Sequence, residues 1–280
     1  MKDIQKEKAR AVDLLIERGI AKDRHEAEAL IIGGKIFYNN EPVKNTGQLL
    51  LKVSEIEIRG TREFVSRGAL KLKKAVENFK ISLHGKTIID IGSSTGGFTD
   101  YLLQNGAVSA IAVDVNYGQF DWKLRKNPNI FLFERTNIKD LKRSELPIIP
   151  DLAAVDLSFI SIRNVFGNIF DLLSDTGEFL LLVKPQFEAR KELVGKKGII
   201  SDRKVHLDIL NELILYIMDN YSVELKGVTF SPIKGAKGNI EFWVYAKKNI
   251  NDNYKKNKIN YGRIFETVEN IINDAHSELT

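Results

Sequence analysis

The residues most able to do chemistry begin with Asp90-Ile91-Gly92-Ser93-Ser94-Thr95-Gly96-Gly97-Phe98, a glycine-rich turn between an apolar run and a helix. Glycines there let backbone approach a ligand closely, and the helix N-terminus behind them offers free N–H groups. A dinucleotide fingerprint would need glycine where Ser94 stands, and no Gly-Lys-Ser/Thr follows for a triphosphate. The D-x-G-x-x-x-G-G form suits instead a nucleoside without a pyrophosphate, held by Gly92, Ser93, Ser94, Thr95, Gly96 and Gly97. Asp114 closes the next apolar run, where a carboxylate can accept both ribose hydroxyls. Asp90 has two readings, a ligand contact or a carboxylate that bonds the turn's own N–H groups.

Four charged residues stand at further strand boundaries. Asp156 ends one apolar run in Val155-Asp156-Leu157-Ser158-Phe159, and Lys184 ends another in Val183-Lys184-Pro185-Gln186-Phe187. Glu241 enters the last run in Lys237-Gly238-Asn239-Ile240-Glu241-Phe242, and Lys71 lies ahead of the sheet in Ser66-Arg67-Gly68-Ala69-Leu70-Lys71-Leu72. Ligands sit at the carboxyl ends of strands in open α/β folds, so such groups belong near the glycine-rich turn. The absence of cysteine removes disulfide frameworks, thiolate zinc sites and every cysteine nucleophile. His25, His84, His206 and His276 lack ligand spacing, so no metal is expected.

The elements that must position these groups follow from the hydrophobic pattern. The 280 residues, 43% of them hydrophobic, are enough for one large domain with an appendage, or for two domains. Runs at 87–91, 110–114, 129–133, 152–156 and 179–183 alternate with amphipathic segments, which indicates a parallel sheet covered by helices on both faces. Ile209, Leu210, Leu213, Ile214 and Ile217 mark the clearest helix, and 223–230 and 240–246 read as closing strands. Residues 1–58 form a small α+β unit: a helix bearing Val12, Leu15 and Ile16, a second capped by Asp23 and Glu26, then a hairpin turning at Asn39-Asn40. Residues 59–66 are a basic linker, 67–248 the main domain, and 249–280 a polar linker with a last helix carrying Ile264, Val268, Ile271 and Ile272. The stretch 59–86 sets eight basic residues against two acidic ones, and a net charge of +5 over the chain makes a polyanionic partner plausible. A charged start, Met1-Lys2-Asp3-Ile4-Gln5-Lys6, and no long apolar run point to a cytoplasmic protein with no membrane partner.

The turn and Asp114 together resemble the class I S-adenosylmethionine-dependent methyltransferases, with their Rossmann-like sheet. Methylation of cytosine at ring carbon five is excluded for want of a cysteine, and Asp156-Leu157-Ser158-Phe159 replaces the Asn/Asp-Pro-Pro-aromatic motif of base-amine methylases. The Lys71–Asp156–Lys184–Glu241 set resembles the FtsJ/RrmJ-type ribose 2′-O-methyltransferases, and the motifs quoted above look like the TlyA family within that group. That resemblance, over about residues 5–248, implies cytidine 2′-O-methylation of 16S rRNA, 23S rRNA or both, with an N-terminal RNA-binding domain of the ribosomal-protein S-four type. It places the catalytic set at Lys71, Asp156, Lys184 and Glu241, with Lys184 at the 2′-oxygen, Asp156 and Glu241 holding it, and Lys71 steering the hydroxyl or a phosphate. S-adenosylmethionine falls to the turn, Asp90, Asp114 and Asp156. Asn137 either reaches the adenine edge or is a loop residue, and Phe159 either packs on the methionine end or is core. Arg10, Arg18, Arg24, Arg62 and Arg67 are candidate RNA contacts. The charged residues around Gly195 and Gly198 form either an RNA-facing insertion or an ordinary solvated loop. Two competing readings are a non-catalytic RNA-binding or ribosome-assembly protein and a membrane-lysing protein, since this family has carried the name haemolysin.

Overall fold

A computed structural model describes residues 7–53, 55–59, 63–249 and 261–279. Arg62, the charged start at 1–6 and most of the polar linker, 250–260, lie outside them. The chain divides into two compact units, 1–63 and 64–280.

The first unit runs β1 (Lys8–Arg10), α1 (Ala11–Glu17), α2 (Arg24–Ile32), β2 (Ile36–Tyr38), β3 (Glu41–Pro42), β4 (Leu49–Leu51) and β5 (Ile56–Ile58). Asp23 caps α2 by accepting from the Glu26 amide at 2.8 Å, while Glu26 reaches back to the Lys22 amide at 3.0 Å. Asn39 and Asn40 both take positive φ, 50° and 68°, the geometry a two-residue hairpin turn demands. Beyond the two helices and the hairpin, β1 pairs with β4 and β5 with β2. Three-residue strands are too short to display a period-2 pattern, so the sequence does not announce them.

The second unit opens with α3 (Gly68–Asn78) and contains β6 (Thr87–Ile91), α4 (Gly97–Gln104), β7 (Ser109–Val113), α5 (Trp122–Arg125), β8 (Ile130–Phe133), β9 (Leu152–Val155) and α6 (Phe166–Leu172). It continues through β10 (Glu178–Val183), α7 (Pro185–Glu188), α8 (Arg203–Asn220), β11 (Val223–Phe230), β12 (Phe242–Lys248) and α9 (Tyr261–Leu279). The seven-stranded sheet has the order β11-β12-β10-β9-β6-β7-β8. The five strands from β10 to β8 run parallel, and β12 inserts antiparallel between β10 and β11. Neighbouring residues on β6 go to opposite faces. Ile89 and Ile91 join α6, α8 and α9 in one core, while Ile88 joins Leu72 of α3 and Leu102 of α4 in the other. Strands buried on both faces are continuously apolar for this reason.

One contact across the first of these cores joins residues far apart in the chain. His206 of α8 and His276 of α9 meet Nδ1 to Nε2 at 2.9 Å, with the His206 ring edge-on to Phe242. Burial pushes His206 down to about 4 and lowers His276; Asp202, Arg203 and Lys234 are the charged groups that act on the pair. The unfolded chain therefore binds protons that the folded one refuses, so this pair's stabilising contribution is lost as pH falls from about 6.5 toward 4. Fully developed, a shift of that size corresponds to roughly 3 kcal/mol. His206→Phe should flatten the acid limb of a plot of urea midpoint against pH; an unchanged limb would rule the pair out as its source.

Candidate active site

The turn after β6 is built as much for packing as for a ligand. Gly92 has φ +84°, and a Cβ there would lie 2.3 Å from the Asp156 carbonyl oxygen, so only glycine lets the ends of β6 and β9 come together. At Gly97 a side chain would collide with the Ser66 hydroxyl at 2.1 Å, which is how the segment leading into α3 crosses α4. The Val65 amide, in the same segment, donates to the Asp100 carboxylate at 2.8 Å. Asp90 is buried, and its Oδ2 accepts from the Thr99 amide (2.9 Å) and hydroxyl (2.7 Å). These bonds tie Asp90 to the first turn of α4 rather than to the glycine-rich turn's own N–H groups, and its buried Oδ1 has no hydrogen-bond partner. Burial pushes this carboxyl up to about 7.

A cavity of about 440 Å³ opens at the carboxyl ends of the central strands. Gly92, Ser94, Asp114, Asn137, Asp156 and Phe159 line it; Asp90, Ser93, Thr95, Gly96 and Gly97 do not. Asp114 is aimed by two amides, Ser94 N–H at 2.7 Å and Asn116 N–H at 2.8 Å, and a carboxylate retains acceptor capacity beyond two such bonds. Asn137 accepts from the Lys139 amide at 3.1 Å and faces the cavity beside Thr136 and Ile138. Phe159 does not belong to the core: it is 91% exposed, takes φ +66°, and stands 5.1 Å from the Phe187 ring. A positive φ in a bulky residue is an outlier that surrounding structure must enforce.

The four charged residues gather at one side of this cavity as two ion pairs. Lys184, immediately after β10, brings its Nζ to 2.6 Å from Asp156 Oδ1, an ion pair without hydrogen-bond geometry. It directs its hydrogen bond to Ser158 Oγ at 2.8 Å. Lys71, reaching from α3, donates to Glu241 Oε2 at 2.6 Å. Glu241 thus anchors Lys71 and not Lys184, contrary to the sequence expectation; Ser158 takes the place beside Lys184. The physical reason is burial: Glu241 is 2% exposed, and so deep a carboxylate requires a close cation, which α3 supplies. Burial still holds its carboxyl above the ordinary range despite the pull of Lys71 and, more weakly, of Lys184. That all three charges act on Glu241, Asp156 among them, makes the two pairs one electrostatic unit.

Ser158, Asn116 and Thr136 are cavity residues to which the sequence reading gave no part. For Ser158 the signal lay in plain view, a hydroxyl two residues beyond Asp156. The candidate RNA contacts sit on exposed positions: Arg10 ahead of α1, Arg18 at its end, Arg24 opening α2 and paired with Glu28 at 2.9 Å, and Arg67 opening α3. In the segment after Lys184, Arg203 and Lys204 belong to the first turn of α8, while Arg190, Lys191, Lys196 and Lys197 precede it. Among the described residues no helix is long and apolar enough to cross a membrane, and no group of three or more His, Cys, Asp or Glu is arranged to hold a metal.

Comparison with known proteins fits this arrangement. Residues 64–248 match the FtsJ-like methyltransferases. The chain is 35% identical, over 86% of its length and 90% of the other's, to the 16S/23S rRNA (cytidine-2′-O)-methyltransferase TlyA of Mycobacterium tuberculosis. It is 40% identical, over 80% of its length and 93% of the other's, to Hemolysin A of Brachyspira hyodysenteriae. A solved hemolysin-named structure from Streptococcus thermophilus superposes with a TM-score of 0.71 at 34% identity, covering 97% of this chain and 96% of that one.

Proposed function

The chain belongs to the FtsJ-like methyltransferase family, and on that premise we propose that it transfers a methyl group from S-adenosylmethionine to the ribose 2′-hydroxyl of a cytidine in 16S or 23S rRNA. One observation carries the reading: an ammonium, Lys184, is fixed by Asp156 and Ser158, two residues that line a nucleoside-sized cavity. The cavity's donor set fits the methyl donor. Asp114 suits ribose hydroxyls, Asn116 and Asn137 offer amides to a base edge, and Ile91, Val115, Ile138 and Leu157 supply apolar walls. S-adenosylmethionine, when bound, supplies an electrophilic sulfonium methyl.

The chain's own residues then have to aim the acceptor. Lys184 contacts the 2′-oxygen and holds it in line with the methyl carbon, a positioning effect of the kind that dominates when the nucleophile is weak. When the donor supplies its methyl, the C–O bond would form as the C–S bond breaks and the hydroxyl proton would pass to solvent water, with the Lys184 ammonium stabilising the negative charge that the departing proton leaves on the 2′-oxygen. Lys71, anchored on Glu241, takes the adjacent phosphate or the hydroxyl. Phe159, exposed beside the cavity, packs on the methionine end of the donor. The first unit serves as the S-four-type RNA-binding domain, with Arg10, Arg18 and Arg24 on phosphates, and Arg67 at the start of α3 takes a further phosphate; Arg62 shares that assignment but lies outside the described residues.

Incubating purified protein with methyl-labelled S-adenosylmethionine and ribosomal subunits should place label in 2′-O-methylcytidine after nuclease digestion. Label on a base, or donor binding without any transfer, would overturn the proposal.

A further inference from the structure

We propose that Gly235 is a positioning residue for the Glu241 carboxylate, its missing side chain being the space in which that carboxylate rests. Its effect on rate rests on the methyl-transfer reading above; its structural part does not.

The backbone at Gly235 has φ −69° and ψ −176°, extended geometry open to any L-residue. Conformation therefore gives no reason for a glycine. Space does: a Cβ at this position would lie 1.9 Å from Glu241 Oε1, 2.5 Å from its Cδ and 3.2 Å from its Cγ. Both partners are held in place by their own contacts. The Gly235 peptide is pinned on both sides, its N–H donating to the Asn239 carbonyl at 2.8 Å and its own carbonyl accepting from Gly238 N–H at 3.0 Å. Asn239 is itself buried and tied to the neighbouring segment, with Oδ1 accepting from the Ile200 amide and Nδ2 donating to the Gly198 carbonyl, each at 2.9 Å. The backbone of Glu241 is held by its carbonyl, which accepts from Ser231 N–H at 2.8 Å. Its side chain is 2% exposed and already engaged with Lys71. A methyl group at 235 must therefore push the carboxylate off Lys71, leaving two charges poorly partnered. Gly235 touches neither donor nor acceptor; it acts through Glu241.

The test compares Gly235→Ala in two backgrounds, the parent and Glu241→Ala. In the parent, turnover should fall by on the order of 100-fold, as for an ångström-scale misplacement of a reacting group, while the KM and calorimetric Kd for S-adenosylmethionine stay within about twofold. Thermal midpoints complete the cycle. Gly235→Ala should lower Tm in the parent and lower it much less in Glu241→Ala, where the colliding carboxylate is gone and the double variant should fold. Equal Tm losses in both backgrounds, or full turnover in Gly235→Ala, would overturn the assignment. A parent protein that transfers no methyl group to any RNA would sink the functional reading alone, and the Tm cycle would still decide the role of Gly235.

Discussion

Lys184→Ala protein is expected to bind S-adenosylmethionine as tightly as the parent and to transfer the methyl group at least 10²–10³-fold more slowly, the range for removing one preorganised group from a developing charge. The argument is geometric. Lys184 is not among the residues that line the donor cavity, whereas its partners Asp156 and Ser158 are. Removing the ammonium leaves the cavity walls in place and withdraws the group proposed to meet the acceptor's 2′-oxygen. Lys184→Arg keeps the charge but presents a planar fork in a pocket shaped for a compact ammonium with 10% side-chain exposure, so it should restore little. Single-turnover rates with excess enzyme, beside calorimetric donor affinities, measure both halves. Full single-turnover activity in Lys184→Ala would remove the residue from the reaction.

The second large effect belongs to Gly92→Ala. An alanine there suffers twice: φ is +84°, and the Asp156 carbonyl would stand 2.3 Å from its Cβ. Left-handed backbone in a non-glycine residue costs about 1–2 kcal/mol, and forcing apart two packed strand ends adds a comparable amount. Roughly 3 kcal/mol of stability should go, together with donor affinity, because the strand end displaced is the one that presents Asp156. Gly118→Ala is the control: φ is +77°, but nothing lies within 4 Å of the added carbon, so only the backbone cost of about 1–2 kcal/mol remains. Urea midpoints for the two variants give the difference. Equal losses would mean that the closeness of Gly92 to Asp156 has no energetic weight.

Much of this architecture is written into local sequence. The apolar runs from Ile88 to Val183 fall on the strands observed, since a strand buried on both faces can hardly be anything but apolar. The Asp23 cap and the Asn39-Asn40 turn are local chemistry and are read locally. The four charged residues are likewise legible as a set, because each stands where a strand or helix delivers it to the same edge. Their pairing is not. Lys71 and Glu241 are 170 residues apart, and which carboxylate takes which ammonium depends on the depth of Glu241 and the reach from α3. The same limit hides the His206–His276 contact, where each histidine lacks any neighbour in sequence to betray it. Gly235 is a further case: a glycine in a loop reads as a turn former, and only the three-dimensional surroundings show that its smallness is what counts.

The last helix has a practical consequence. The stretch shared with the methyltransferase family stops at residue 248, yet Val268, Ile272 and Ala275 of α9 lie 0%, 2% and 0% exposed within the same core as β6 and β10. A protein truncated at the family boundary would not be a minimal enzyme. It would lose one wall of its interior and bare a greasy stripe along α8 and β11, inviting self-association in place of catalysis.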